Sequence, residues 1–193
     1  MDPIQIAPGL VLTEAQYELA AAGLTEHAPD LALSWERFTA PADWWLVPDK
    51  DGRLAKAELV LVEGAERTVK INLWHLPDLR SGRPMPHSHP WSFRSHILAG
   101  GYAEDRYAAT GGVVTATRHD HLADSANSVD RAVYHEVAAL HAPPGETMTL
   151  MLCGPGTRGI WGYLDPDTGR HSPPSADPGF GARLRALNPH RRA

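Results

Sequence analysis

Between Lys56 and Leu164 the apolar residues fall in short runs or alternate with polar ones, a period of two rather than 3.6. AELVLV (57–62) and TVKINLWHL (68–76), parted by the polar turn EGAER, predict two strands. PDLRSGRP, with two prolines and a glycine, predicts a loop. The alternation resumes near Pro86 and runs to Gly100-Gly101, which predicts one long strand. YAEDRYAA and VVTATRH flank TGG and read as a hairpin, and the polar stretch DHLADSANSVD (120–130) reads as a loop. RAVYHEVAAL predicts a strand, HAPPGE a turn, MTLMLCGP a fully apolar strand, and GIWGYL (159–164) the strand that closes the set. Such a series of short strands points to a β-sandwich or small barrel.

The flanks differ. Thr13 and Gln16 have the spacing of a capping box, and Glu14–Leu24 predicts a helix with Gly23 suited to its C-cap. Residues 31–48 hold three tryptophans but mix periods and assign no element; Trp44 and Trp45 are expected to cover a core. After Asp165 the chain is rich in Pro, Gly and Arg, read as a wrapping arm or partly disordered tail in which ARLRAL forms one helical turn. The division expected is 1–55 as helix and covering arm, 56–164 as barrel and 165–193 as tail.

A length of 193 residues suits one well-buried core. The net charge of -5 argues against sequence-independent binding of nucleic acid or an anionic membrane, so the expected partners are small molecules. One cysteine, Cys153, precludes an internal disulfide and a cysteine-rich zinc cluster; within TLMLC it reads as a small buried hydrophobe. The start MDPIQIAPGL lacks a signal-peptide pattern, and no run approaches the ~18 apolar residues of a membrane span, so a cytoplasmic location is expected.

The chemistry concentrates in PMPHSHPWSFRSHILAGGYAEDRY (84–107). In an extended chain His87 and His89 share a face, close enough to grip one metal ion, and Ser88 points away. The same parity places Phe93, Ser95 and Ile97 with the histidines, and Arg94 and His96 opposite.

PHSHPWSFRSHILAGGYAE resembles the first motif of the cupin superfamily, in which His-x-His precedes a strand and a glycine turn. The resemblance implies an all-β, cupin-type double-stranded β-helix (jelly-roll barrel) with a short N-terminal helix. The family's glutamate, seven residues before the turn glycine, falls on Phe93, so that carboxylate ligand is missing. HPWSFRSHILAGG is also similar to the thiol dioxygenases of the superfamily, which lack the same glutamate and hold iron with three histidines; the likeness covers about one tenth of the chain. The second cupin motif normally supplies a histidine from a facing strand. His135 in VYHEV is preferred, with His141 and the pair His119/His121 in reserve. That motif's Pro-x-Gly and Asn are absent, their places taken by Asp130–Ala132 and Ala139.

Three neutral imidazoles suit Fe(II), Zn, Ni or Cu and leave the ion its full charge. With iron, the open positions would take a chelating small molecule and O2; with zinc or nickel, hydrolase, lyase or isomerase chemistry follows. The motif's likeness to oxygenases favours a non-haem Fe(II) dioxygenase acting on a small chelating metabolite, the alternatives being a Zn- or Ni-dependent lyase or isomerase and a non-catalytic small-molecule-binding cupin. Trp91, Phe93, Ser95, Tyr102, Trp161 and Tyr163 are the expected pocket residues, with Tyr107 a further donor. Arg94, Arg106, Arg118 and Arg158 are candidates for a carboxylate clamp, and Glu104 is expected to pair with Arg106 or a neighbouring strand. The resemblance also implies a homodimer.

Overall fold

A computed structural model of the chain describes residues 3–78, 82–157, 161–174 and 177–191. Strands β1 (Ile4–Ala7) and β2 (Leu10–Leu12) pair ahead of α1 (Glu14–His27). The expected capping box forms: Thr13 Oγ1 accepts the Gln16 N–H at 3.2 Å, and Gln16 Oε1 accepts the Thr13 N–H at 2.9 Å. Gly23 corrects the sequence reading. It lies buried inside a helix that runs on to His27, and a Cβ there would stand 2.7 Å from Leu98 Cδ2. It is a close-packing glycine, not a cap. The unassigned segment 31–48 contains α2 (Trp35–Thr39), N-capped by Ser34, a 3-10 turn and β3 (Trp44–Pro48).

The barrel is built from β4 (Leu54–Glu63), β5 (Thr68–Trp74), β6 (Phe93–Ala99), β7 (Gly101–Thr110), β8 (Val113–Leu122), β9 (Ala126–Val129), β10 (Tyr134–Leu140) and β11 (Thr147–Cys153). One antiparallel sheet has the order β3-β4-β5-β11-β6-β9, the other β10-β7-β8. Residues around His87 bridge β10 at His135 and extend the smaller sheet by a short third ladder. From β5 onward the chain passes between the two sheets: to the histidine segment, back to β6, across to β7 and β8, back to β9, across to β10 and back to β11. This alternation is the jelly roll, and the fold is the all-β cupin-type double-stranded β-helix that was expected.

The corner from β6 to β7 is Gly100-Gly101, both at positive φ; a Cβ on Gly101 would stand 2.6 Å from the His121 carbonyl oxygen. The long strand predicted from Pro86 to Ala99 is broken: β6 begins only at Phe93, because Pro90 has no N–H to give a ladder. The polar stretch 120–130, read as a loop, instead completes β8 and contains β9, whose inward residues Asn127 and Val129 are buried. The closing strand is reduced to β12 (Tyr163–Leu164), paired with β13 (His171–Ser172); Gly159 and Ile160 lie outside the described residues.

The large sheet has two different faces. Trp44, Leu46, Ala57, Leu59, Val69, Ile71, Leu73, Met148 and Leu150 point away from the smaller sheet and pack under α1, α2 and β2 as the main hydrophobic core. By the same alternation, Lys56, Glu58, Lys70, Asn72 and Thr149 point into the barrel. Trp44 covers the core as expected, its Nε1–H donating to the Phe38 carbonyl at 2.7 Å, whereas Trp45, on the opposite face of β3, is exposed beneath Arg191. The tail contributes α3 (Phe180–Leu187), longer than the one turn read from the sequence. Asn188 then bonds both backbone groups of Leu46 at 2.8 Å and so caps the free edge of β3. Among the described residues no helix is long and apolar enough to cross a membrane.

Candidate metal centre

The segment carrying His87 and His89 is held on several sides. Backbone bonds of 2.9 Å run in both directions between His87 and His135, the Ser88 N–H donates to the Gly162 carbonyl at 2.9 Å, and the Leu164 N–H donates to the Pro86 carbonyl at 2.9 Å. The Met85 N–H donates to Glu136, whose other carboxylate oxygen accepts the Tyr107 hydroxyl at 2.6 Å. A short stretch with little regular ladder is thereby fixed to two strands.

Fixed in this way, His87, His89 and His135 each offer a ring nitrogen, and these lie within 4.8 Å of one another. The two Nε2 atoms of His89 and His135 are 3.0 Å apart. His135 Nδ1 donates to Glu104 Oε1 at 2.7 Å, which places its lone pair on Nε2, toward the other histidines. Burial first, then the neighbouring His87 and His135, hold the His89 imidazole well below the ordinary histidine range; burial likewise lowers His87. His87 and His89 are therefore neutral and rich in lone pairs, the state in which imidazole ligates a metal. Three histidines and no carboxylate could hold one divalent ion.

Glu104 is fully buried and serves three donors at once: His135, His121 Nε2 at 3.1 Å, and Arg106 Nε at 2.8 Å. Burial alone would raise its pKa, but these bonds outweigh burial and keep the carboxyl far below the usual range. The expected partner Arg106 is present. The link to His135 is not visible in the sequence, because it depends on the β7/β10 register, in which Glu104 opposes Val137 and Arg106 opposes His135.

The reserve ligands do not join the group. His121 is spent on Glu104, His141 Nε2 lies 2.9 Å from Asp120 Oδ1, and His119 is exposed on β8. Among the expected pocket residues, Phe93 stands edge-on to His89 with ring centroids 5.1 Å apart, and Trp91 stacks on the same imidazole at 6.2 Å. Ser95 and Tyr102 are buried inside the barrel, where Asn127 Nδ2 donates to the Tyr102 hydroxyl at 3.1 Å. Burial pushes the Tyr102 phenol up to about 12. Tyr163 lies 6.4 Å from His87, and with Trp161 it lines a cavity of about 550 Å³ beside the histidine segment. Lys56, Trp74, Asp78 and Met85 complete the near wall, and residues of α3 form the outer one.

Three of the arginine candidates are placed elsewhere. Arg94 is exposed, Arg106 is bound to Glu104, Asn127 and Ser128, and Arg118 pairs with Asp105 on the surface; Arg158 lies outside the described residues. Cys153 is a buried hydrophobe as expected, packed with Phe93, Val129 and Met151, and burial raises its thiol to about 11.

No protein-family model matches the chain, and neither does any curated protein sequence. Among solved structures it resembles KdgF from a Halomonas species at 11% identity and a TM-score of 0.41, covering 60% of this chain and 88% of that one. An uncharacterised Klebsiella pneumoniae protein with a double-stranded β-helix domain aligns at 17% identity and a TM-score of 0.37, over 63% of this chain and 91% of its own. Streptomyces albus HEPD, solved with 2-hydroxyethylphosphonate and Fe(II), aligns at 18% identity and a TM-score of 0.42, over 59% of this chain and 24% of its own. Likenesses this distant do not bear on the chain's own chemistry, and the jelly-roll assignment stands on strand order and register.

Proposed function

We propose that this protein is a metal-dependent enzyme of cupin fold, in which His87, His89 and His135 hold one divalent ion, and that it is a non-haem Fe(II) oxygenase acting on a small chelating metabolite. The observation that carries this is the convergence of three imidazole nitrogens within 4.8 Å, with one ring oriented by a buried carboxylate. A polar filler for the barrel would not need lone pairs turned toward one another; a metal site does. Iron is favoured over zinc and nickel by the motif's resemblance to oxygenases that also lack the glutamate. When bound, Fe(II) would supply open coordination positions for a two-donor substrate and O2.

The chain's own residues then do three things. Glu104 orients His135 and, with Arg106 and His121 against it, stays ionised. Phe93 and Trp91 crowd the His89 ring and keep water from that side. Tyr102, neutral throughout the physiological range, keeps its proton in the barrel interior. The cavity beside Tyr163 would take a small molecule next to the histidine segment.

Elemental analysis of tag-free protein and of His87→Ala, followed by oxygen uptake on a panel of thiols, amino acids and enols, tests the reading. Near-stoichiometric iron that disappears in the variant, with substrate-dependent oxygen use, is the expected result. Zinc or nickel without oxygen use would replace the oxygenase by a lyase or isomerase. No metal in either protein would leave a small-molecule-binding module.

A further inference from the structure

The barrel interior carries a charged group that the metal site does not use. Lys56 and Glu58 on β4 and Lys70 on β5 point inward, and both ammonium groups contact the same oxygen, Glu58 Oε1, at 2.7 and 2.9 Å. Their side chains retain only 23%, 17% and 13% of their exposure. Two cations share one anion in direct contact, inside a largely desolvated space. Burying such a charged group is costly, and hydrophobic side chains would fill the same volume more cheaply. Asp78 adds a second negative charge that acts on Lys56 through its field, while its Oδ2 accepts the Val137 N–H at 2.9 Å.

The position of the group matters as much as its charge. Lys56 lies on the wall of the cavity of about 550 Å³, with Met85 and Tyr163 beside the histidine segment, and its ammonium sits 4.8 Å over the Trp74 ring. Both lysines are near enough to His89 to add, after burial and the other two histidines, to the lowering of its pKa. Next to Glu58 in the register is Asn72, which is 1% exposed; its Nδ2 reaches Thr149 and Met151, while its Oδ1 is buried without a partner. Behind Lys56 on the cavity wall, two ammonium groups on one carboxylate oxygen and an unmet acceptor together suit a ligand with a negative group and a hydrogen-bond donor.

We infer that Lys56 and Lys70 anchor a carboxylate of the substrate, which is a small carboxylic acid bearing a donor group for Asn72 Oδ1. The inference rests on the proposed metal site, which would hold the reacting end of the same molecule. A carboxylate adds one negative charge beside Glu58, whereas a phosphate dianion would add two. The arginines singled out from the sequence are exposed, paired elsewhere or outside the described residues, and the lysines take the place expected of them.

The test is a binding titration of tag-free, metal-loaded protein with acetate, glutarate and benzoate, each against its neutral amide, and with inorganic phosphate. Binding is followed by tryptophan fluorescence, since Trp74 lies under Lys56. At least one acid should bind tenfold or more tighter than its amide, and Lys56→Gln or Lys70→Gln should weaken it tenfold or more with metal content unchanged. His87→Ala should lose the metal and keep the carboxylate preference, so failure of the metal site and failure of the anchor are read separately. The inference is overturned if no acid outbinds its amide in the folded wild-type protein, if phosphate outbinds every acid, or if the preference survives both lysine substitutions. The acid-against-amide comparison decides the matter even if the lysine variants do not fold.

Discussion

Glu104 shows how one residue can be half legible. Its pairing with Arg106 two positions on follows from strand parity, since both side chains fall on one face, and the contact is 2.8 Å. Its second role, accepting from His135 Nδ1, depends on a residue 31 positions away and on the register of two strands. Glu104→Gln keeps the shape of the side chain and removes its charge. Metal affinity should fall about 10- to 100-fold, the usual cost of losing the partner that orients a histidine ligand. Competition against a chromophoric chelator measures this, and an unchanged affinity would show that His135 is positioned by its backbone alone. Strand parity puts Phe93 beside the histidines, and it is there, yet the reason lies in β6 restarting after Pro90 rather than in an unbroken strand.

At the scale of elements, alternation identifies most of the barrel strands but not where they stop. β8 runs three residues beyond the predicted His119, and β9 lies in a stretch whose alternating residues are Asn127 and Val129, too polar to be read as a buried strand. The sequence of α3 reads as one turn, and its function as an edge cover is not legible there. Asn188→Ala removes the bonds to Leu46 and one to the Leu184 carbonyl at 2.7 Å, leaving buried backbone groups unmet. The expected loss is about 1–3 kcal/mol, seen as a fall of several degrees in Tm. A Tm within a degree of wild type would mean that α3 is held by its apolar contacts instead.

For the whole molecule, the main hydrophobic core lies between the large sheet and the amino-terminal helices, while the barrel interior is polar. This arrangement has a pH signature. His87 and His89 in the interior are lowered chiefly by burial, as is His96, whose ring stacks on His27 with centroids 3.6 Å apart and ties β6 to α1. A histidine with a depressed folded pKa resists protonation while folded and accepts a proton when unfolded. Its contribution is complete above the unfolded value of about 6.5 and is lost as pH falls below it. Burial would raise the pKa of Glu58, but Lys56 and Lys70 bring it down to about 2, which adds a second loss as pH falls below 4.5 toward 2. Metal-free protein should therefore show a falling Tm from pH 8 to pH 5 and a steeper fall below pH 4.5. A flat or rising Tm between pH 8 and 5 would contradict the neutral state assigned to these imidazoles.

The chain's own pattern determined what depends on neighbouring residues: the capping box at Thr13, strand runs with a period of two, the glycine corner at Gly100-Gly101, and the shared face of His87 and His89. Each is written in side chains a few positions apart, where backbone geometry alone sets which way they point. Tertiary structure decided what depends on register between distant strands. It selected His135 over His119, His121 and His141, because only His135 faces His87 across a ladder. It joined Glu104 to that histidine, turned Gly23 from an expected cap into a contact with Leu98, and gathered Lys56, Glu58 and Lys70 on the inner face of the large sheet. A one-residue slip in any of these pairings would reverse which side chains meet, and that choice is made by packing rather than by local sequence.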